Sequence, residues 1–110
     1  MSDYYESQDL AQFSAIAEDA PELAEAFFSW YGKVFAEGEL TAREKALIAL
    51  AVAHAEQCPY CIDAYTSATL EQGCSKGEMM EAVHVAAAIK GGAALVHGVQ
   101  MRKRAEQLSM

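Results

Sequence analysis

The chain has 110 residues, 53% of them hydrophobic and 22% charged, which describes one globular domain with a modest core and excludes a disordered polypeptide. Sixteen acidic residues against eight basic ones give a net charge of −8, the wrong sign for a nucleic-acid surface. The opening MSDYYESQDL lacks the basic and apolar regions of a secretory leader, and the longest apolar run, residues 46–55, is too short to span a bilayer. A cytoplasmic protein that engages neither membrane nor nucleic acid is therefore expected.

Frequent alanine, scarce proline and few β-branched residues favour helix, and no window alternates with period two. Residues 1–20 read as a loosely attached arm with a helical turn or two around Leu10, Phe13 and Ile16. Pro21 suits the first position of a helix over 21–37, whose Leu23, Phe27, Trp30, Tyr31 and Val34 form an aromatic stripe for the core or a subunit interface, with Gly38 as its stop. Thr41-Ala42-Arg43-Glu44 is a capping box, and the following helix, 42 to about 57, is apolar nearly all round and so buried. Pro59 then opens a helix that runs to Leu70-Glu71 and stops at Gly73. Ser75-Lys76-Gly77-Glu78 is a second capping box, starting a helix to Lys90 that Gly91-Gly92 should break. A last helix, from Ala93 to about Glu106, has Arg102-Lys103-Arg104 placed against its dipole. The expectation is an all-α domain of five or six helices, with its core over about 21–106.

Within this frame stands Cys58-Pro59-Tyr60-Cys61. In a reducing compartment such a CxxC is catalytic or metal-binding rather than a structural staple. Glutaredoxins carry the same four letters, but they need a strand leading into the motif and a later proline facing the dithiol. Here the lead-in is capped as a helix, and the two prolines, Pro21 and Pro59, leave none downstream. A zinc site would need four well-spaced ligands, and His54 with Cys74 makes no second pair, so neither metal nor cofactor is expected. Cys74 reads as a bystander thiol, and His84 and His97 as packed or interface side chains.

Two thiols three residues apart at a helix start face the same side and can close a disulfide. The free amides and partial positive charge there favour a thiolate, and on that ground Cys58 is the more acidic of the two. A thiolate attacks a peroxide to give a sulfenic acid, which a second thiol condenses to a disulfide. His54, four residues before Cys58, shares a face with it if the helix persists to Gln57, and an imidazole there can move the proton.

The order of features resembles the AhpD-like, carboxymuconolactone-decarboxylase-type family. A capped buried helix (Thr41 to Glu44, then Leu47 to Ala55) leads to CxxC at the start of the next, central helix, followed by a turn with Gly73 and a helix ending at Gly91-Gly92. The stretch LTAREKALIALAVAHAEQCPYCIDAYTSA is similar to small peroxidase-like members associated with arsenosugar biosynthesis. The resemblance implies an alkylhydroperoxidase-like enzyme that reduces hydroperoxides through a Cys58–Cys61 cycle, is recharged by an external dithiol reductant, and assembles as a homo-oligomer, trimer to hexamer. It further implies that Cys61 attacks and Cys58 resolves, the reverse of the helix-end argument.

Two positions depart from the family pattern. The Glu usual twelve residues before the first cysteine is Ala46, and the His usual four after the second is Tyr65. The family relay is therefore absent, leaving His54 as a substitute base and Tyr65 as a hydrogen-bond donor to sulfur or peroxide. A different class of function is a dithiol binding protein for a thiophilic species such as trivalent arsenic. The decarboxylase branch that names the family does not rely on CxxC.

Overall fold

The computed structural model describes residues 6–109, so the leaderless reading of the N-terminus rests partly on residues outside the described part. Among the described residues the structure is helical throughout, without strands. A 3-10 helix (Ser7–Glu18) precedes α1 (Pro21–Phe35), α2 (Ala42–Ala55), α3 (Pro59–Glu71), α4 (Lys76–Val96) and α5 (Gly98–Ser109). The capping boxes expected at Thr41 and Ser75 are both formed: each hydroxyl accepts from the amide of Glu44 or Glu78, and each glutamate accepts the cap residue's own amide.

Helix α2 is the centre of the packing, with α3 on one side and α4 on another. Its buried residues are Ala46, Leu50 and Ala53, and Ala86 of α4 is buried as well. Small side chains at these contacts let the helix axes come close. Two lysines fasten the neighbours. Lys45 Nζ donates to the Val34 and Ala36 carbonyls at the end of α1, and Lys90 Nζ donates to the Ala55 carbonyl at the end of α2. Each cation meets carbonyls that have no intrahelical partner, at the negative end of a helix.

The junctions on either side of α3 share one geometry. At the end of α2 the Gln57 amide donates to the His54 carbonyl and the Cys58 amide to Ala53. At the end of α3 the Gly73 amide donates to Leu70 and the Cys74 amide to Thr69. Both are Schellman turns, whose pivot residue is left-handed. At the second junction the pivot is Gly73, φ 78°; at the first it is Gln57, φ 54°, the one described non-glycine residue with positive φ.

Three boundaries differ from the sequence reading. Helix α1 stops at Phe35, where Ala36 turns extended, before Gly38 is reached. Helix α2 stops at Ala55, because the turn at Gln57 takes the chain out of helix before Cys58. Gly91-Gly92 does not break α4, which continues to Val96. His97 keeps right-handed helical dihedrals, so residues 76–109 form one nearly unbroken rod. A glycine in a helix costs about 1 kcal/mol, which strong neighbours such as Ala87, Ala88, Ala93 and Ala94 outweigh.

The two pivots predict opposite responses. Gln57→Gly relieves a left-handed side-chain residue and stabilises the fold by about 1 kcal/mol. Gly73→Ala imposes the same strain where a Cβ would meet nothing within 4 Å, so it destabilises by about 1 kcal/mol through conformation alone. Denaturant midpoints at fixed protein concentration measure both.

Candidate active site: a dithiol between two apolar clefts

Cys58 plays two parts. Its amide closes the Schellman turn that ends α2, and its side chain is the N-cap of α3, accepting the Cys61 amide at 3.3 Å. Pro59 follows at the first helical position, where a missing N–H costs nothing. The Cys61 side chain lies one turn along on the same face, and the two sulfurs are 2.9 Å apart, both as free thiols. Disulfide closure to about 2.05 Å needs only a small movement.

The two thiols differ electrically. The Cys58 thiol is held below its ordinary value by the hydrogen bond with the Cys61 side chain, then by the Cys61 amide and the Tyr60 amide, against burial and the Glu56 carboxylate. Cys61 is pushed up to about 11 by burial first, then by the hydrogen bond and charge of Cys58 and by Glu56. Cys58 is therefore the more acidic thiol of the pair.

Two clefts meet at this pair. One, about 400 Å³, lies between α1 and α2 and reaches Cys61 past Val34, Phe35, Ile48 and Val52, with Lys45 and Glu56 among its lining residues. The other, about 600 Å³, lies under the 3-10 helix, with Leu10, Phe13 and Ile16 on one side and Cys58, Tyr60 and Cys61 on the other. Tyr31, Cys61 and Tyr65 line both. An aromatic row carries α1 to the site: Tyr31 packs on Phe35 at 4.9 Å, and Phe35 stacks on Tyr65 at 5.3 Å.

The sequence-derived residues fall into two groups. Cys58, Cys61 and Tyr65 come together. His54 lines neither cleft; its Nδ1 is 2.8 Å from the Leu50 carbonyl. A carbonyl only accepts, so Nδ1 carries a hydrogen. The helix expected to carry His54 and Cys58 on one face to Gln57 ends at Ala55, and the chain turns at Gln57 between them. Ala46, where the family pattern has glutamate, is buried in the α2 core. Cys74 is also buried, in the turn after α3, apart from both clefts.

Tyr31 is the site residue that sequence reasoning missed. Its place in an aromatic stripe marked it as packing. Its phenol is held above the ordinary tyrosine range by burial first and then by the two cysteine sulfurs, so it is a hydroxyl donor beside them.

An all-helical chain with a dithiol at a helix N-terminus, flanked by apolar clefts, defines a class of helical thiol protein. The model of the carboxymuconolactone decarboxylase family matches residues 21–103, and the chain belongs to that family. It is 44% identical over 73 residues, 66% of each chain, to the uncharacterized protein 4 in the cox locus of Paracoccus denitrificans, so it spans just under two thirds of that relative's length. A crystal structure of a Methanobacterium thermoautotrophicum protein is 38% identical with a TM-score of 0.75, covering 78% of this chain and 97% of that one. The apo structure of a carboxymuconolactone decarboxylase family protein from Legionella pneumophila is 29% identical with a TM-score of 0.71, covering 84% of each.

The charge asymmetry predicts the order of alkylation. With iodoacetamide, Cys58 reacts first, its rate rising with pH to a midpoint lower than that of Cys61. In Cys58→Ser the midpoint of Cys61 falls below about 11 yet stays above the ordinary value, because burial, its largest cause, remains. Tandem mass spectrometry across pH distinguishes the sites.

Proposed function

We propose that this chain is a thiol-dependent peroxidase that reduces organic hydroperoxides through a Cys58–Cys61 dithiol/disulfide cycle. What chiefly supports it is the geometry of two free sulfurs 2.9 Å apart where two apolar clefts meet. The Cys58 thiolate attacks the outer peroxide oxygen. The O–O bond breaks, giving a sulfenic acid on Cys58 and an alkoxide that takes a proton to leave as the alcohol. The Cys61 thiol then condenses with the sulfenic acid, its proton leaving with the hydroxyl as water. Exchange with an external dithiol reductant restores both thiols, which suits a reducing, cytoplasmic setting.

The polarity assigned here follows the electrostatics of this site and is opposite to what the family resemblance implies. The alkoxide's proton comes from the phenol of Tyr31 or Tyr65, since both line the clefts beside Cys61 and no carboxylate occupies position 46. His54, held by Leu50, acts at most through solvent. The apolar walls favour a peroxide with a hydrocarbon body over hydrogen peroxide.

One equivalent of cumene hydroperoxide is expected to remove two hydrogens from the reduced protein, faster than it oxidises free cysteine. Cys61→Ser accumulates a sulfenic acid that dimedone traps, and Cys58→Ser does not; the converse trapping pattern would restore the family polarity. Tyr65→Phe and Tyr31→Phe each slow oxidation by about tenfold or more if the lost donor is one to a charged group. Thiols that stay reduced under peroxide while binding arsenite tightly would move the assignment to a carrier of a thiophilic species, a role the adjacent free sulfurs also suit.

A further inference from the structure

The two clefts at the dithiol are not equivalent. Cys61 lines both, but Cys58 lines only the larger one, about 600 Å³, under the 3-10 helix. A molecule that reaches the Cys58 sulfur through a cleft therefore passes this helix. Leu10, Phe13 and Ile16 give it an apolar side there, and Asp9 and Gln12 line the same cleft.

This wall is an addition to the family domain. The family model matches residues 21–103, and the 3-10 helix, Ser7–Glu18, lies before them. Twelve residues is long for such a helix, since runs beyond about three or four are uncommon. Packing against α1 and α3 supports it. Phe13 meets Phe28 edge-on at 5.1 Å and Phe27 at 6.3 Å. The aromatic side anchors the helix, while Asp9 is half-buried and Gln12 exposed, at the solvent edge of the cleft.

Charge at this edge is one-sided. Among the described residues that line the cleft, Asp9 is the only charged one. Lys45 lines the other cleft, and its ammonium is bonded to the Val34 and Ala36 carbonyls. The positive end of α3 is already met by the Cys58 sulfur, which accepts the Cys61 amide. Glu56 adds a negative charge that acts on both sulfurs. A carboxylate entering here meets like charge among apolar walls, where charges interact more strongly than in water. An uncharged hydrocarbon body instead covers surface that gains from leaving water.

We propose that the 3-10 helix is the selecting wall of the Cys58 site: it admits neutral apolar electrophiles, hydroperoxides with an uncharged alkyl or aryl body among them, and Asp9 rejects those that carry a carboxylate. The choice of hydroperoxides rests on the peroxidase reading; the charge selection rests on the cleft alone.

Two readouts on the full chain test this. The first is alkylation of Cys58 by neutral iodoacetamide and by anionic iodoacetate, each rate divided by that of free cysteine. Comparing the two reagents cancels the thiolate fraction common to both. The second is oxidation by cumene hydroperoxide and by its para-carboxylate. In each pair the anion is expected to be slower by about tenfold or more. Asp9→Asn and Gln12→Lys should each shrink that ratio by about threefold or more, with the neutral reagent unchanged within about twofold. Gln12→Lys adds a cation at an exposed position and leaves Asp9 in place, so a weakened helix start in Asp9→Asn cannot explain both. In the parent, salt at about 1 M, where the screening length is about 3 Å, should narrow the ratio as well. Equal normalised rates for the neutral and anionic reagents overturn the proposal, as does a ratio that both variants leave unchanged. If neither hydroperoxide oxidises the thiols while the alkylation ratio still responds to positions 9 and 12, the peroxidase reading fails and the selecting wall stands.

Discussion

Helices α2 and α3 are joined without a loop, and the dithiol depends on how that is done. Glu56 and Gln57 make the whole turn, and Cys58 ends one helix with its amide while capping the next with its sulfur. No spare residue exists through which the first thiol can shift relative to the helix that carries the second. The left-handed conformation of Gln57 costs about 1 kcal/mol, and the structure sustains it by closing both hydrogen bonds of the turn. Lys90 adds a third restraint by binding the Ala55 carbonyl just before the turn. The neighbouring junction at Gly73 makes the same turn without strain, so the geometry does not itself demand glutamine. Strained backbone at a reactive group is where folds commonly store it.

A cysteine at the start of a helix has free amides around its sulfur, and here the other cysteine stands there as well. The two sulfurs are hydrogen-bonded to each other, which makes Cys58 easier and Cys61 harder to ionise. That hydrogen bond shifts the two acidities in opposite directions, and burial, the larger cause at Cys61, widens the gap. Glu56 opposes both ionisations, so the preference for Cys58 arises from short-range donors rather than from net local charge, which is negative throughout the body.

Local signals were readable where the chemistry is local. Thr41 with Glu44, Ser75 with Glu78, Pro59 after Cys58 and Gly73 each act within one turn, and each does what its neighbours in sequence require. The errors arise where a longer-range balance decides. Gly91-Gly92 looks like a break because glycine is a poor helix former, yet the alanines around it carry the helix through. His54 looks aligned with Cys58 because spacing of four assumes an uninterrupted helix, and a left-handed glutamine carries no mark in sequence. Tyr31 gave no sign of its place by the sulfurs, since a tyrosine in an aromatic stripe reads alike whether its hydroxyl meets water or a thiol. Its position follows from how α1 packs against α2 and the 3-10 helix, with Phe35 stacked on Tyr65 of α3, which no local pattern encodes.

The composition and the burial pattern do not agree for an isolated chain. More than half the residues are hydrophobic, yet six apolar residues fall in the fully buried class, four of them alanine. Leu50 and Thr69 are the largest side chains that are completely enclosed. Alanine interiors bring helices close but contribute little transfer free energy per residue, because so little surface is removed from water. The larger side chains, from Trp30 on α1 to Leu95 on α4, lie on the outside, where they stabilise nothing unless another surface covers them. The same is true of the α1–α2 cleft, whose apolar walls contribute to the burial that makes Cys61 harder to ionise. Covering the cleft edge of Val34, Leu40, Ile48 and Val52 would therefore act on stability and on the surroundings of Cys61 together, since these exposed side chains line the cleft that reaches it.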